Sequence, residues 1–150
     1  MRAVIQRVSR ASVKCSSGHS DEIRTGLLIF LGIEDSDNRE DLEWLSGKIS
    51  RIRIFDDGAG IMNLGLTEVE GEVLVISQFT LHASTRKGNR PSYSKAAAPE
   101  ISEPMYNDFL KQLEKDAGII VKKGVFGDHM EVILVNDGPV TVLIDSKNRE

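Results

Sequence analysis

Met1-Arg2-Ala3-Val4-Ile5-Gln6-Arg7-Val8-Ser9 alternates apolar and polar side chains, the period-two pattern of a strand with one buried face. Ala11 to Cys15 continues the pattern. Ser16-Ser17-Gly18-His19-Ser20 then reads as a hairpin turn in which Gly18 is free to take positive φ. Leu27 to Ile33 is an apolar run broken only by Gly32 and preceded by Gly26, which predicts a buried strand. Further strands are expected at Glu72 to Phe79, Met130 to Val135 and Val140 to Ile144, the last two joined by the turn Asn136-Asp137-Gly138-Pro139. Two stretches change to helical spacing. Leu42, Leu45, Ile49 and Ile52 form one apolar stripe, entered through Asp37 and Glu40 as a capping box. Met105, Tyr106, Phe109, Leu110 and Leu113 form the other, with Ser102 as N-cap, Pro104 in the first turn and Gly118 as the stop. Arg51 to Phe55 reads as β-like before the loop Asp56-Asp57-Gly58-Ala59-Gly60. The fold class expected is α/β (α+β), a largely antiparallel, barrel-like sheet covered by two main helices.

The 150 residues suit a single domain over 1–150, with a charged end at 145–150 expected to fray. With 40% apolar and 28% charged residues the chain has the composition of an ordinary globular protein. Its longest apolar run is too short to cross a bilayer, and Arg2, Gln6 and Arg7 interrupt any leader-like start, so the expectation is a cytoplasmic protein without a membrane partner. Cys15 is the lone cysteine, which excludes an intrachain disulfide, and its polar neighbours suggest a half-exposed strand residue rather than a nucleophile. His19, His82 and His129 are scattered, so no metal site and no cofactor are expected. The net charge of −4 argues against a general nucleic-acid coat. Between Val73 and Pro99, however, there is no acidic residue, while Arg86, Lys87, Arg90 and Lys95 fall inside that window. Such a loop is either simply solvated or made for a local anionic ligand such as the end of a phosphate backbone.

No G-x-S-x-G elbow, Walker lysine motif, G-x-G-x-x-G turn or zinc spacing is present. Two segments remain. Ser77-Gln78-Phe79-Thr80-Leu81 places polar groups where a buried strand ends, either because the strand meets solvent there or because its exit presents hydroxyl, amide and N–H groups to a ligand. Asn136-Asp137-Gly138-Pro139 reads as an ordinary turn or, since a cis bond before proline costs only about 0.5–1 kcal/mol, as a rigid prong with two carbonyls aimed one way.

Taken together and in this order, these segments resemble the D-aminoacyl-tRNA deacylase family. The resemblance runs from Met1–Val8 through Gly26-Leu27-Leu28 and Arg53-Ile54-Phe55 to Ser77–Leu81, Lys87–Ser92, Phe126-Gly127, Met130 and Asn136–Thr141. It implies hydrolysis of the ester joining a D-amino acid, or mischarged glycine, to the terminal adenosine of tRNA. It also implies a homodimer, in which the Gly-Pro segment of each subunit enters the other's site. Ser77, Gln78, Phe79 and Thr80 would form the catalytic pocket. Gly138, Pro139, Arg7 and Met130 would bind substrate, with the Gly138 and Pro139 carbonyls holding the α-amino group and Arg7 bracing them. Arg86, Lys87 and Arg90 would contact tRNA, and no DNA partner is implied. The ester would be cut by water with help from the ribose 2′-hydroxyl, in preference to Thr80 acting as nucleophile with His82, on the same face of an extended strand, as helper. A non-catalytic tRNA-binding module and a small-molecule esterase using Thr80 or Ser77 are the other classes. After Phe126-Gly127 the family usually has Ala, whereas Asp128 and His129 stand here.

Overall fold

The computed structural model describes residues 1–149. Strand β1 (Arg2–Cys15) organises the sheet: it pairs antiparallel with β2 (Ser20–Ile23), β3 (Gly26–Gly32) and β8 (Met130–Asp145). On the far side of β3 come β6 (Glu72–Ser77) and β7 (Val121–Lys123), both in parallel pairings, so the sheet is mixed rather than antiparallel throughout. A small separate hairpin joins β4 (Phe55–Asp56) to β5 (Met62–Leu64). Arg51 to Ile54, expected to be β-like, instead close the first helix and lead into that hairpin. Gly18 does take positive φ, at 96°, in the turn between β1 and β2.

The barrel-like closure follows from burial on both faces of the sheet. Ala3, Ile5, Leu27, Ile29, Leu31, Val73 and Val75 face a core shared with the helices. The alternate residues Leu28, Leu74 and Ile76 face a second core with Val8, Ala11, Val13 and Cys15. β1 changes sides through register irregularities between Gln6 and Arg10, and its second half folds with β8 over the outer face. Strands buried on both faces read as continuous apolar runs, as Leu27–Leu31 does. Cys15 is therefore buried, not half-exposed.

α1 (Arg39–Ser50) begins one residue later than Asp37 implied. Asn38 is its N-cap, accepting from the Glu40 and Asp41 N–H groups at 2.9 and 3.2 Å, while Asp41 accepts from the Asn38 N–H at 3.0 Å. Asp37 is otherwise engaged, taking the Met1 ammonium and the Glu34 N–H. α2 (Pro99–Ala117) starts earlier than Ser102, with Ala98 as N-cap and Pro99 in the first turn, and it ends at Gly118 in the left-handed region as expected. Tyr106, Phe109, Leu110 and Leu113 line its buried face.

The charged end expected to fray makes side-chain contacts as far as Arg149, while Glu150 lies outside the described residues. Ser146 is buried and accepts from the Met1 ammonium at 2.7 Å, Lys147 pairs with Asp41 at 2.5 Å, and Arg149 pairs with Glu40 at 3.0 Å across the Trp44 ring. Among the described residues no helix is long and apolar enough to cross a membrane.

Candidate active site

The parallel ladder of β3 and β6 runs to Leu31 and Ser77, and the Gln78 N–H extends it once more by donating to the Leu31 carbonyl at 2.7 Å. The chain then leaves the sheet in a 3-10 turn, Phe79–His82, where the sequence suggested continued strand. The turn's own bonds begin with the Leu81 N–H donating to the Gln78 carbonyl, so the Phe79 and Thr80 N–H groups have no acceptor within it. Backbone donors unclaimed at a strand exit suit a developing negative charge.

Above this exit lies a cleft of about 650 Å³. Ser77, Gln78, Phe79 and Met130 line it, joined by Tyr93, Ala96–Pro99, Ser102 and the loop Phe126–His129. The Met130 thioether packs against Gly124, where a Cβ would fall 2.3 Å from its sulfur and push the side chain aside. Asp128 is held below the usual carboxylate range by the Ser17 N–H at 2.9 Å, reinforced by the Ser17 hydroxyl and the His129 N–H. Its charge thus ties the β1–β2 turn to the cleft rim.

Thr80 stands beside the cleft rather than in its wall, and its hydroxyl accepts from the Gln78 side-chain amide at 2.5 Å. Nothing in that arrangement activates it. His82 is not on a shared strand face with Thr80. It is buried beneath the turn against Gly32, its nearest charged neighbour being Glu34 at 4.0 Å, and neither ring nitrogen has a hydrogen-bond partner. His82 therefore makes no bond to the Thr80 hydroxyl.

The second expected cluster is not a turn between two strands. β8 runs unbroken from Met130 to Asp145, with the Gly138-Pro139 bond cis inside it. Gln6 pairs with Thr141 and Val8 with Asn136, so two steps along β1 face five along β8 and the Asp137–Val140 segment bulges outward. Asn136 closes the base of the bulge by accepting from the Val140 N–H at 2.9 Å. Arg7, buried, donates to the Asp137 carbonyl at 3.0 Å, the Ile54 carbonyl at 2.7 Å and the Asp56 carboxylate at 3.1 Å. Gly138 and Pro139 themselves are exposed and do not line the cleft. Met130 belongs with the cleft, eight residues and roughly 25 Å of extended strand from Gly138.

Arg86, Lys87 and Arg90 are exposed on the loop after the 3-10 turn, outside the cleft wall, and no salt bridge engages them among the described residues. Among the described residues no cluster of His, Cys, Asp and Glu is placed to hold a metal ion. Tyr93 and the Ala96–Ala98 wall were not singled out from the sequence. The available signal was an aromatic residue inside the acid-free window.

A mixed barrel-like sheet, two helices and a cleft at a strand exit make this a small α+β protein with one candidate site on the sheet's edge. The family model described as D-Tyr-tRNA(Tyr) deacylase matches residues 4–145, and the chain belongs to that family. A protein of Bacteroides fragilis (strain YCH46) named D-aminoacyl-tRNA deacylase is 58% identical over 150 residues, spanning 100% of both chains. One of the same name from Flavobacterium johnsoniae is 55% identical, again over 100% of both. A solved structure described as c-Myc DNA Unwinding Element Binding Protein superposes with a TM-score of 0.88 at 39% identity, covering 97% of this chain and 98% of that one.

Proposed function

We propose that the chain hydrolyses the ester between a D-amino acid, or glycine, and the 3′-terminal adenosine of tRNA, as a cytoplasmic homodimer. The observation that carries this reading is the strand exit at Ser77–Thr80, where the Phe79 and Thr80 N–H groups have no acceptor within the turn, Ser77, Gln78 and Phe79 line a cleft, and no activated nucleophile stands beside them. An aminoacyl ester is already reactive, and donors aimed at the carbonyl oxygen lower the barrier to attack by water. Water adds to the carbonyl carbon, the bond to O3′ breaks, and the departing oxygen takes a proton. The neighbouring 2′-hydroxyl is placed to assist, which removes the need for a side-chain base.

Stereoselectivity comes from the second copy. The exposed bulge at Gly138-Pro139 does not line its own cleft, and the same strand carries exposed Ile133, Val135 and Leu143. Docked against a partner, the bulge enters the partner's cleft, where its carbonyls hold the α-amino group and its bulk excludes an L side chain. Glycine, lacking Cβ, is not excluded. Arg86, Lys87 and Arg90 take the phosphates behind the terminal nucleoside.

Purified protein incubated with D-Tyr-tRNA and with L-Tyr-tRNA tests the reading. Loss of the D-ester with survival of the L-ester supports it; equal loss of both, or loss of neither, overturns it.

A further inference from the structure

The loop Phe126–His129 forms one rim of the cleft. Packing anchors its ends: the Phe126 ring meets Tyr106 with centroids 5.8 Å apart, and the Met130 thioether that follows the loop lies against Gly124. The middle has no such support. Gly127 takes a positive φ of 74°, and a Cβ there would meet nothing within 4 Å. Hydrogen bonds hold this part of the rim instead, and most of them run to the turn between β1 and β2. The Asp128 carboxylate accepts from the Ser17 N–H at 2.9 Å, from the Ser17 hydroxyl and from the His129 N–H at 2.9 Å. The Ser16 N–H donates to the His129 carbonyl at 3.0 Å, and the His19 ring bonds to the Lys123 carbonyl at 2.9 Å.

The turn is itself a fixed post. The Cys15 N–H donates to the His19 carbonyl at 2.8 Å, the Gly18 N–H donates to the Cys15 carbonyl at 3.0 Å, and Cys15 is buried. Ser17 lies 111 residues before Asp128 and outside the cleft wall, so their bond draws the rim off the cleft. A bond to an ionised acceptor is about twice as strong as one between neutral groups. With both of its oxygens engaged by these donors, the carboxylate is not offered to the cleft. That end of the cleft presents Ile76, Phe126, Met130 and Val132 instead, a surface suited to a large apolar or aromatic side chain. We propose that Asp128 is a positioning residue: by bonding to Ser17 it holds this rim open to bulky D side chains, so that a turn outside the cleft sets which D-aminoacyl esters are cut. This rests on the deacylase reading and adds a specificity element to it. Room for one more methylene in an apolar pocket changes kcat/KM by about 10–200-fold, so a small inward shift of the rim is enough to discriminate.

The test compares D-Tyr-tRNA with D-Ala-tRNA, a bulky ester with a small one. Asp128→Ala is expected to raise KM for D-Tyr-tRNA about tenfold, with kcat nearly unchanged and both constants for D-Ala-tRNA unmoved. Asp128→Asn keeps an acceptor for the Ser17 N–H and restores KM. Ser17→Ala alters nothing in the cleft wall and shifts the ratio of the two esters in the same direction, by about threefold. Circular dichroism checks that each variant is folded. Equal slowing of both esters in folded Asp128→Ala overturns the proposal, as does an unchanged ratio in either alanine variant. An unaltered protein that cleaves neither ester removes the deacylase reading and the proposal with it. One that cleaves both, with a ratio the variants do not move, removes the clamp alone.

Discussion

Arg7 on β1 donates to the Asp137 carbonyl on β8 at 3.0 Å, and this contact holds the base of the outward bulge that carries Gly138 and Pro139. The guanidinium is buried, pairs also with the Asp137 carboxylate at 3.3 Å, and donates to Ile54 and to Asp56 of β4, so one side chain fixes the bulge to the 54–56 segment. Lysine has the charge but not the fork that serves several acceptors at once. Arg7→Lys is expected to cost about 1–3 kcal/mol in a denaturant titration and to lower kcat/KM on D-Tyr-tRNA about tenfold or more. A variant with full activity would show that the bulge needs no brace.

Gly138 has φ of 135°, and a Cβ there would lie 2.7 Å from the Val140 Cγ2 atom and 2.9 Å from its nitrogen. An L side chain is strained at that φ and has no room, at about 1–3 kcal/mol. Because the bulge is exposed, the domain should stay folded while the prong moves. Gly138→Ala is therefore expected to lower kcat/KM on D-Tyr-tRNA by about 100-fold with only a small change in Tm. Intact activity would detach Gly138 from the site.

How far the sequence carried these assignments depended on whether local pattern or distant partners decided each element. Met1–Ser9 and Leu27–Ile33 were legible because alternation and continuous burial are written in consecutive residues. The turn reading of Asn136–Pro139 failed because its residue types are those of a turn, whereas the Asn136 side chain closes a bulge within a strand. Asp37 and Asn38 are both good caps. The choice between them was made by the Met1 ammonium, a contact from 36 residues away in the sequence. The parallel pairing of β6 with β3 and the burial of His82 have no local signature either. In the site, the family motifs marked Ser77, Gln78 and Phe79, but not Tyr93, which reaches the cleft from a loop.

Thr80 offers the cleanest test of mechanism. Its hydroxyl accepts from the Gln78 amide, and no imidazole, amine or carboxylate bonds to it. If water attacks directly, Thr80→Ala keeps kcat on D-Tyr-tRNA within about threefold, since only a hydrogen bond at the cleft edge is lost. A hydroxyl nucleophile removed by the same substitution would cost on the order of 10⁴-fold or more. Single-turnover kinetics separate these outcomes without ambiguity.

Asp41 links pH to stability. Burial pushes its carboxyl up, but Lys147, the Ser146 hydroxyl and the Asn38 N–H outweigh that and hold it below the usual carboxylate range. A depressed folded value means the contribution is present above the unfolded value, near 4, and is lost as pH falls through the folded one. Asp41→Asn should melt about 3 °C below the unaltered protein at pH 7, and the gap should close towards pH 3. A gap that does not change with pH would assign the effect to packing and not to charge.

The outward face of β8 decides whether the site is shared. Ile133 and Leu143 are each 66% exposed, on opposite sides of the bulge. The strand pairs only with β1 among the described residues, leaving its other edge open. A monomer protects such an edge with charge or proline. Here exposed apolar side chains flank a prong that does not line its own cleft, which is the arrangement expected where two copies dock. Ile133→Asp combined with Leu143→Asp should shift sedimentation equilibrium from dimer to monomer. The inward face of the strand is untouched, so Tm should fall only by the share the interface contributes. Deacylation should be lost with the dimer, because each cleft then lacks the other subunit's Gly138-Pro139. A stable monomer that still hydrolyses D-Tyr-tRNA and spares L-Tyr-tRNA would place chiral selection within a single chain and remove the second copy from the mechanism.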